Sequence, residues 1–159
     1  MVVILYNVRS LHNVGSIFRT ADAAGCEKIY LCGITPAPLD VFGKPRPQLT
    51  KVSLGAEKYV EWEKVKSASR LIDKLKKDKY KIFAVEQSKK SIPYSNIKRS
   101  SNLRVGRLVL VLGNEIKGLP APILKRADKI LEIPMKGKKE SLNVAVAFGI
   151  VIFHLNLVK

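Results

Sequence analysis

Residues 108–118 read LVLVLGNEIKG: five consecutive apolar side chains, then Gly113, Asn114, Glu115 and a second glycine at 118. A run that is apolar at every position, without alternation, suits a strand covered on both faces, as in a parallel sheet flanked by helices. A second run ends in Ile133-Pro134-Met135, and Ser141-Leu142-Asn143-Val144 then opens a long helix. In open α/β sheets ligands bind in the crevice beyond the carboxyl ends of the strands. Two successive strand ends bearing Gly, Asn, Glu and Ser therefore predict a cofactor pocket.

Outward from this stretch, strands alternate with helices. Residues 2–8 read as a strand. The apolar residues Val14, Ile17, Phe18, Ala21 and Ala24 recur at helical spacing behind an expected N-cap at Asn13, with Gly25 as the stop and Arg19 on the polar face. Residues 28–33 read as the next strand. The stretch that follows, TPAPLDVFGKPRPQLTK (35–51), contains four prolines, which predict irregular structure. With Lys44, Arg46 and Lys51 it reads either as a substrate-facing arm or as a surface loop with incidental charge. Beyond it come a short strand at 59–62, a basic helix from Ser67 to Lys79, a strand at 82–87 and a basic polar segment from Ser88 to Arg104. After strand 108–112, a short helix spans Pro120 to Ala127 and a strand spans 129–133. The expected fold class is α/β with a mostly parallel sheet flanked by helices, and the length fits one domain.

The net charge of +16, from 29 Lys and Arg against 13 Asp and Glu, points to a polyanionic partner, nucleic acid before an anionic membrane. Two cysteines, Cys26 and Cys32, give neither a disulfide framework nor zinc-ribbon spacing, so a reducing cytoplasm is expected. The N-terminus lacks the basic lead of a signal peptide. Residues 141–158 contain no charged side chain, and eighteen such residues reach the lower limit of a membrane span. Ser141, Asn143, His154 and Asn156 interrupt the run, however. The better reading is a helix buried against the sheet on one side and a second subunit on another, with His154 as a satisfied core residue.

The chemistry available is limited. No HExxH, Walker A or GxSxG motif occurs, the Gly113 and Gly118 spacing is not the dinucleotide fingerprint, and no metal-binding set is apparent. What remains is Asn13 and Arg19, Asn114 and Glu115, Ser141 and Asn143. Such a set can orient two substrates for a displacement that needs little acid or base assistance, and methyl transfer from a sulfonium donor is of that type.

The segments NVGSIFRTADAAG (13–25), LVLVLGNEIKGL (108–119) and IPMKGKKESLNVAVAFGIVIF (133–153) resemble, in order, the three motifs of the SpoU or TrmH-like branch of the SPOUT superfamily, RNA ribose 2'-O-methyltransferases that use S-adenosylmethionine. The resemblance implies a deep trefoil knot in the C-terminal part and a homodimer with active sites near the subunit boundary. It implies catalytic roles for Asn13, Arg19, Glu115, Ser141 and Asn143, with Arg19 acting on the ribose 2'-hydroxyl or orienting it with the phosphate. It places Val85, Gly113, Asn114, Ile133, Met135, Ser141 and Leu142 around the cofactor. Residues 1–159 are expected to form a single catalytic domain without an appended RNA-binding domain. RNA, tRNA ahead of rRNA, would then be held by basic loops carrying Lys44, Arg46, Lys136, Lys138 and Lys139. The rival reading is a non-catalytic RNA-binding protein that keeps the fold.

Overall fold

The computed structural model describes residues 1–98 and 107–157. The end of the basic segment, 99–104, and residue 158 of the last helix lie outside the described residues. Seven strands form one sheet: β1 (Val2–Tyr6), β2 (Lys28–Cys32), β3 (Glu61–Val65), β4 (Lys81–Val85), β5 (Ile92–Pro93), β6 (Leu108–Leu112) and β7 (Lys129–Glu132). Their order is β3-β2-β1-β6-β4-β7-β5, and each pairing is parallel.

The central place of β6 explains its composition. Leu108, Leu110 and Leu112 pack into the layer that holds α1 (Leu11–Ala23) and α5 (Val144–Leu157). Val109 and Val111 face the opposite layer, with α3 (Ala68–Lys77) and α4 (Ala121–Leu124). Successive strand residues point to opposite faces, so a strand covered on both sides must be apolar throughout. β1 is divided in the same way, Val3 and Leu5 against Val2 and Ile4. On α3, Ser67 accepts a hydrogen bond from the Arg70 amide at 3.4 Å. Ala68, Leu71, Ile72 and Leu75 are its buried stripe, as their spacing predicts.

Several boundaries differ from expectation. α1 starts at Leu11, because Ser10 rather than Asn13 is the cap: the Ser10 hydroxyl accepts from the Asn13 amide at 3.2 Å. Both residue types cap well, and the earlier one is used here, which leaves the Asn13 side chain free for other work. β1 ends at Tyr6, since Asn7 adopts a left-handed backbone with φ of 54°. The short strand expected at 59–62 forms instead at 61–65, after a 3-10 turn at Ala56–Lys58. It is an edge strand, and its Glu61 and Glu63 pair with Lys28 at 2.6 and 3.0 Å, so its pattern is largely polar. Strand β4 stops at Val85, α4 is confined to Ala121–Leu124, and β5 was not expected at all.

The proline-rich stretch is more ordered than predicted. Proline excludes a helix interior but suits a helix start, where the missing N–H would be unpaired anyway. Pro47 accordingly opens α2 (Pro47–Ser53). Ahead of it, Leu39 and Pro45 pair antiparallel and close a small hairpin.

In α5, Phe148, Val151, Ile152 and Leu155 are buried. The His154 imidazole lies 2.9 Å from the Ile97 carbonyl and edge-on to the Tyr94 ring, and Asn156 Nδ2 donates to the Ala24 carbonyl at 2.8 Å, so the polar residues of this helix serve as tertiary ties. Among the described residues no helix is long and apolar enough to cross a membrane.

α1 and α2 cross at Gly15, where an added Cβ would stand 2.6 Å from the Leu49 carbonyl oxygen and 3.1 Å from Val52 Cβ. Backbone on the far side of that contact cannot yield as a side-chain tip can. Gly15→Ala is therefore expected to destabilise the fold by about 1–3 kcal/mol, read as a lower urea midpoint with unchanged m-value.

Candidate active site

The carboxyl ends of β4, β6 and β7 and the start of α5 enclose a cavity of about 490 Å³. Leu112, Leu131, Ile133, Val144 and Ala147 supply apolar wall, and Asn13 enters from α1. Every residue expected around a cofactor, namely Val85, Gly113, Asn114, Ile133, Met135, Ser141 and Leu142, lines this one cavity. So do Asn13, Glu115 and Asn143.

Three of these side chains form a connected chain of hydrogen bonds between segments far apart in sequence. Asn13 Nδ2 donates to Glu115 Oε1 at 3.1 Å, and Asn143 Nδ2 donates to Asn13 Oδ1 at 3.0 Å. Asn143 also caps α5, its Oδ1 accepting from the Ala145 and Val146 amides at 2.8 and 3.4 Å. The Glu115 carboxylate accepts from the Arg9 amide at 3.1 and 3.2 Å and from the Ser10 amide at 3.1 Å. These are amides at the entrance of α1, a helix with no acidic residue of its own in the first turn. Glu115 thus supplies, from over a hundred residues away, the negative charge that favours a helix N-terminus. Burial would raise its pKa, but the donors from Arg9, Ser10, its own backbone and Asn13 outweigh that and hold it below the usual glutamate value.

The turn after β6 is built by backbone. Asn114 Oδ1 accepts from the Ile116 and Lys117 amides at 3.0 and 2.9 Å, while its Nδ2 donates to the Asn7 carbonyl at 2.8 Å. The side chain is consumed in holding the loop. At Gly113 a Cβ would fall 2.6 to 2.8 Å from the backbone of Gly118 and Leu119. Glycine there lets the two arms of the turn touch.

Three polar lining residues were not anticipated: Glu86, Gln87 and Glu132. Glu86 accepts from the Leu119 amide at 2.7 Å and so ties the end of β4 to the turn after β6. It directly follows Val85, which the resemblance places at the cofactor, and it too stands at the carboxyl end of a parallel strand, where ligands bind. Gln87 Nε2 donates to the Glu140 carbonyl at 2.7 Å, fastening the loop before α5. Glu132 accepts from the Ser91 hydroxyl at 2.7 Å.

Arg19 lies elsewhere. It is exposed on α1 and is not among the residues lining the cavity of its own chain. Lys136, Lys138 and Lys139 are exposed on the loop whose ends, Met135 and Ser141, meet the cavity. Lys44 is exposed at the hairpin tip, whereas Arg46 is half-buried at the start of α2.

Comparison with known proteins gives a consistent family. Residues 1–153 match the model of the SpoU rRNA Methylase family. The chain is 32% identical over 154 residues to tRNA (guanosine(18)-2'-O)-methyltransferase of Aquifex aeolicus, covering 97% of this chain and 67% of that protein. It is 31% identical over 155 residues to 23S rRNA (guanosine-2'-O-)-methyltransferase RlmB of Coxiella burnetii, covering 98% of this chain and 57% of that one. Among solved structures, the AdoMet-bound rRNA methyltransferase from Sinorhizobium meliloti superposes with a TM-score of 0.81 at 29% identity, covering 98% of this chain and 55% of that chain. The chain thus spans between about half and two thirds of the length of these relatives. With a parallel sheet, a strand-end cavity and a match running through all three motif segments, the chain belongs to the SpoU rRNA Methylase family.

Proposed function

We propose that this chain is an S-adenosylmethionine-dependent RNA methyltransferase acting on a ribose 2'-hydroxyl, with tRNA as the substrate class. The observation that carries this reading is the cavity at the ends of β4, β6 and β7, whose walls are joined by the Asn13, Glu115 and Asn143 hydrogen bonds. The choice of tRNA follows the Aquifex aeolicus relative, which is named for it. We place the activity in the cytoplasm and in residues 1–159 as one catalytic domain.

The residues present fit the cofactor. The cavity volume is in the range of small-molecule sites, its walls are apolar enough to hold an adenine, and at Gly113 a Cβ would crowd the main chain that the adenosine edge would meet. Glu86, Glu115 and Glu132 all line it, an acidic concentration in a chain of net charge +16, which suits a cationic sulfonium. When bound, S-adenosylmethionine supplies a methyl group already attached to its leaving group. The chain then has to exclude water, align the acceptor oxygen with that methyl group and manage one proton. Val85, Ile133, Met135 and Leu142 provide the apolar walls, and Asn114 holds the turn whose main chain faces the cavity. Ser141, at the mouth, is placed to meet the ribose.

Asn13, Glu115 and Asn143 satisfy one another, so their role is to fix the geometry of the reacting groups. Glu115 in particular accepts four hydrogen bonds and keeps its charge, which suits a positioning residue better than a base.

Arg19 is assigned to a composite site. α5 leaves Val146 half-exposed, with Phe153 at 47% and Leu157 at 83%, and α5 packs on α1, on which Arg19 is exposed. We propose that a second copy covers this apolar face, and that Arg19 of the partner subunit approaches the cavity to orient the RNA phosphate and 2'-hydroxyl. The finer topology proposed is a deep trefoil knot. Its support is that β6 lies between β1 and β4, with the turns after β4, β6 and β7 closing on one cavity. The loop bearing Lys136, Lys138 and Lys139 is proposed to meet RNA backbone at the cavity mouth.

Incubation with a labelled methyl donor and either total tRNA or ribosomal RNA should yield 2'-O-methylnucleosides on tRNA. Gly113→Val should weaken donor binding in calorimetry by crowding the turn, and a variant with wild-type affinity would place the cofactor elsewhere. Arg19→Ala and Asn143→Ala should each be inactive alone. Co-expressed, they should regain about a quarter of wild-type turnover, because half of the dimers are mixed and each mixed dimer holds one intact site; no recovery would confine Arg19 to its own chain.

The Glu115 pKa is depressed on folding, so its contribution to stability is fully present above the unfolded value, about 4.3, and is lost as pH falls through the folded value. Glu115→Gln should therefore be less stable than wild type at neutral pH, with the gap closing in acid. A gap independent of pH would remove the charge from the account.

A further inference from the structure

The hairpin at 38–46 has no part in the site described above, yet it is tightly built. Phe42 and Lys44 amides donate to the Asp40 carboxylate at 2.8 and 2.9 Å, the Gly43 amide donates to the Asp40 carbonyl at 3.1 Å, and the Asp40 amide donates to the Lys44 carbonyl at 2.8 Å. The Arg46 amide closes the base on the Pro38 carbonyl at 2.9 Å. At the tip of this network Val41 is 89% and Phe42 83% exposed. A single exposed apolar residue needs no explanation. Two in succession, held out by a loop whose conformation is fixed from within, are a different matter. The backbone of the tip is held by its own hydrogen bonds, and Phe42 stands out from it.

The charges around the tip say what it meets. Asp40 is the one acidic residue between 38 and 46, and its carboxylate is turned inward onto two amides, while Lys44 beside Phe42 and Lys51 on α2 are exposed. A second copy of this chain would bring these cations together, whereas a polyanion would neutralise them. A phenyl ring next to a free ammonium is the pairing by which single-stranded nucleic acid is held, the ring under a base and the cation on the phosphate. The hairpin also stands in a useful place. It runs into α2, whose Leu49 carbonyl lies against Gly15 of α1, and Asn13 in the preceding half-turn of α1 lines the cavity.

We propose that residues 38–46 form a base-stacking finger for single-stranded RNA, with Phe42 stacking on a nucleobase near the methylated nucleotide and Lys44 meeting the adjoining phosphate. The finger deepens the functional reading above and rests on it for the identity of the polyanion as RNA. Because the loop is ordered before RNA arrives, little conformational entropy is lost on binding.

The test is direct binding of a fluorescein-labelled, unstructured oligoribonucleotide to the full chain over a range of salt, alongside sedimentation. Phe42→Ala should weaken binding by about tenfold at every salt concentration, leaving the slope of log affinity against log salt unchanged, and Phe42→Trp should restore it. Lys44→Ala should lower the magnitude of that slope by about 0.7. Wild-type affinity in Phe42→Ala would overturn the finger, and so would loss of self-association in Phe42→Ala with RNA affinity per subunit unchanged, which would make the tip a protein contact. Binding is read apart from turnover, so a wild type that binds RNA through Phe42 but transfers no methyl group supports the finger and sinks the enzyme reading. A wild type that binds no RNA sinks both.

Discussion

The carboxylate of Glu115 is where the structure is tied together. It accepts hydrogen bonds from the Arg9 and Ser10 amides and from Asn13, all on the entrance to α1, while standing itself on the turn after β6. β1 and β6 are neighbours in the sheet, so their carboxyl ends are adjacent for topological reasons alone. Adjacency does not fix the angle at which the helix leaves. A single anion shared between two backbone amides and an amide side chain does, because the donors come from residues 9, 10 and 13, close together in the chain, and converge on one carboxylate. With Asn13 so placed, its oxygen meets Asn143 and sets the start of α5. Three segments that must cooperate are thereby positioned by one charge.

Side chains and main chain divide the labour in an unusual proportion. Asn114, Glu115, Asn143 and Glu86 look like chemistry, yet each is largely consumed in holding backbone, and Asn13 is spent on linking Glu115 to Asn143. Beside them the cavity presents glycine backbone, apolar wall and the side chains of Gln87, Glu132 and Ser141. For a reaction whose electrophile arrives already activated, that is the sensible arrangement, since rate comes from alignment and water exclusion more than from proton transfer. Polar residues that were free to move would be worse at this task. The saturation of Glu115 is consistent with it: a carboxylate held below its ordinary pKa by four donors is a poor base and a good anchor.

The legible and illegible parts of the fold separate on physical lines. β6 was legible because burial on both faces forces a continuous apolar run, and α3 because one buried stripe forces helical spacing. The convergence of Gly113, Ile133 and Ser141 was legible because strand ends of a parallel sheet share one edge, and Val85 was legible only through the family resemblance. β3 was displaced because an outer strand bonded on one side, with Glu61 and Glu63 answering Lys28, carries little hydrophobic signal. The α1 cap was misplaced because Ser10 and Asn13 are equally good candidates, and only a partner 102 residues further on decides that Asn13 is needed elsewhere. α2 was hidden because proline was counted as a breaker where it is an initiator. Glu86 was passed over although it adjoins Val85, because its partner is a backbone amide at 119 that no local pattern announces.

The last helix shows why burial alone cannot settle an assembly. α5 is apolar on every side, which a helix in a single globular layer has no reason to be. Phe148, Val151, Ile152 and Leu155 account for the inward side, and His154 and Asn156 are spent on ties to Ile97 and Ala24. That leaves Val146 and Phe153 about half-exposed and Leu157 largely so, without full cover from the described residues. A membrane would cover them, but among the described residues no helix is long and apolar enough to cross one, and the polar residues of α5 are already committed to ties within the chain. The proposed second copy would cover them and would also answer a separate need, since Arg19 does not line the cavity of its own chain. One contact meeting two independent needs is a stronger ground for the dimer than the apolar surface by itself.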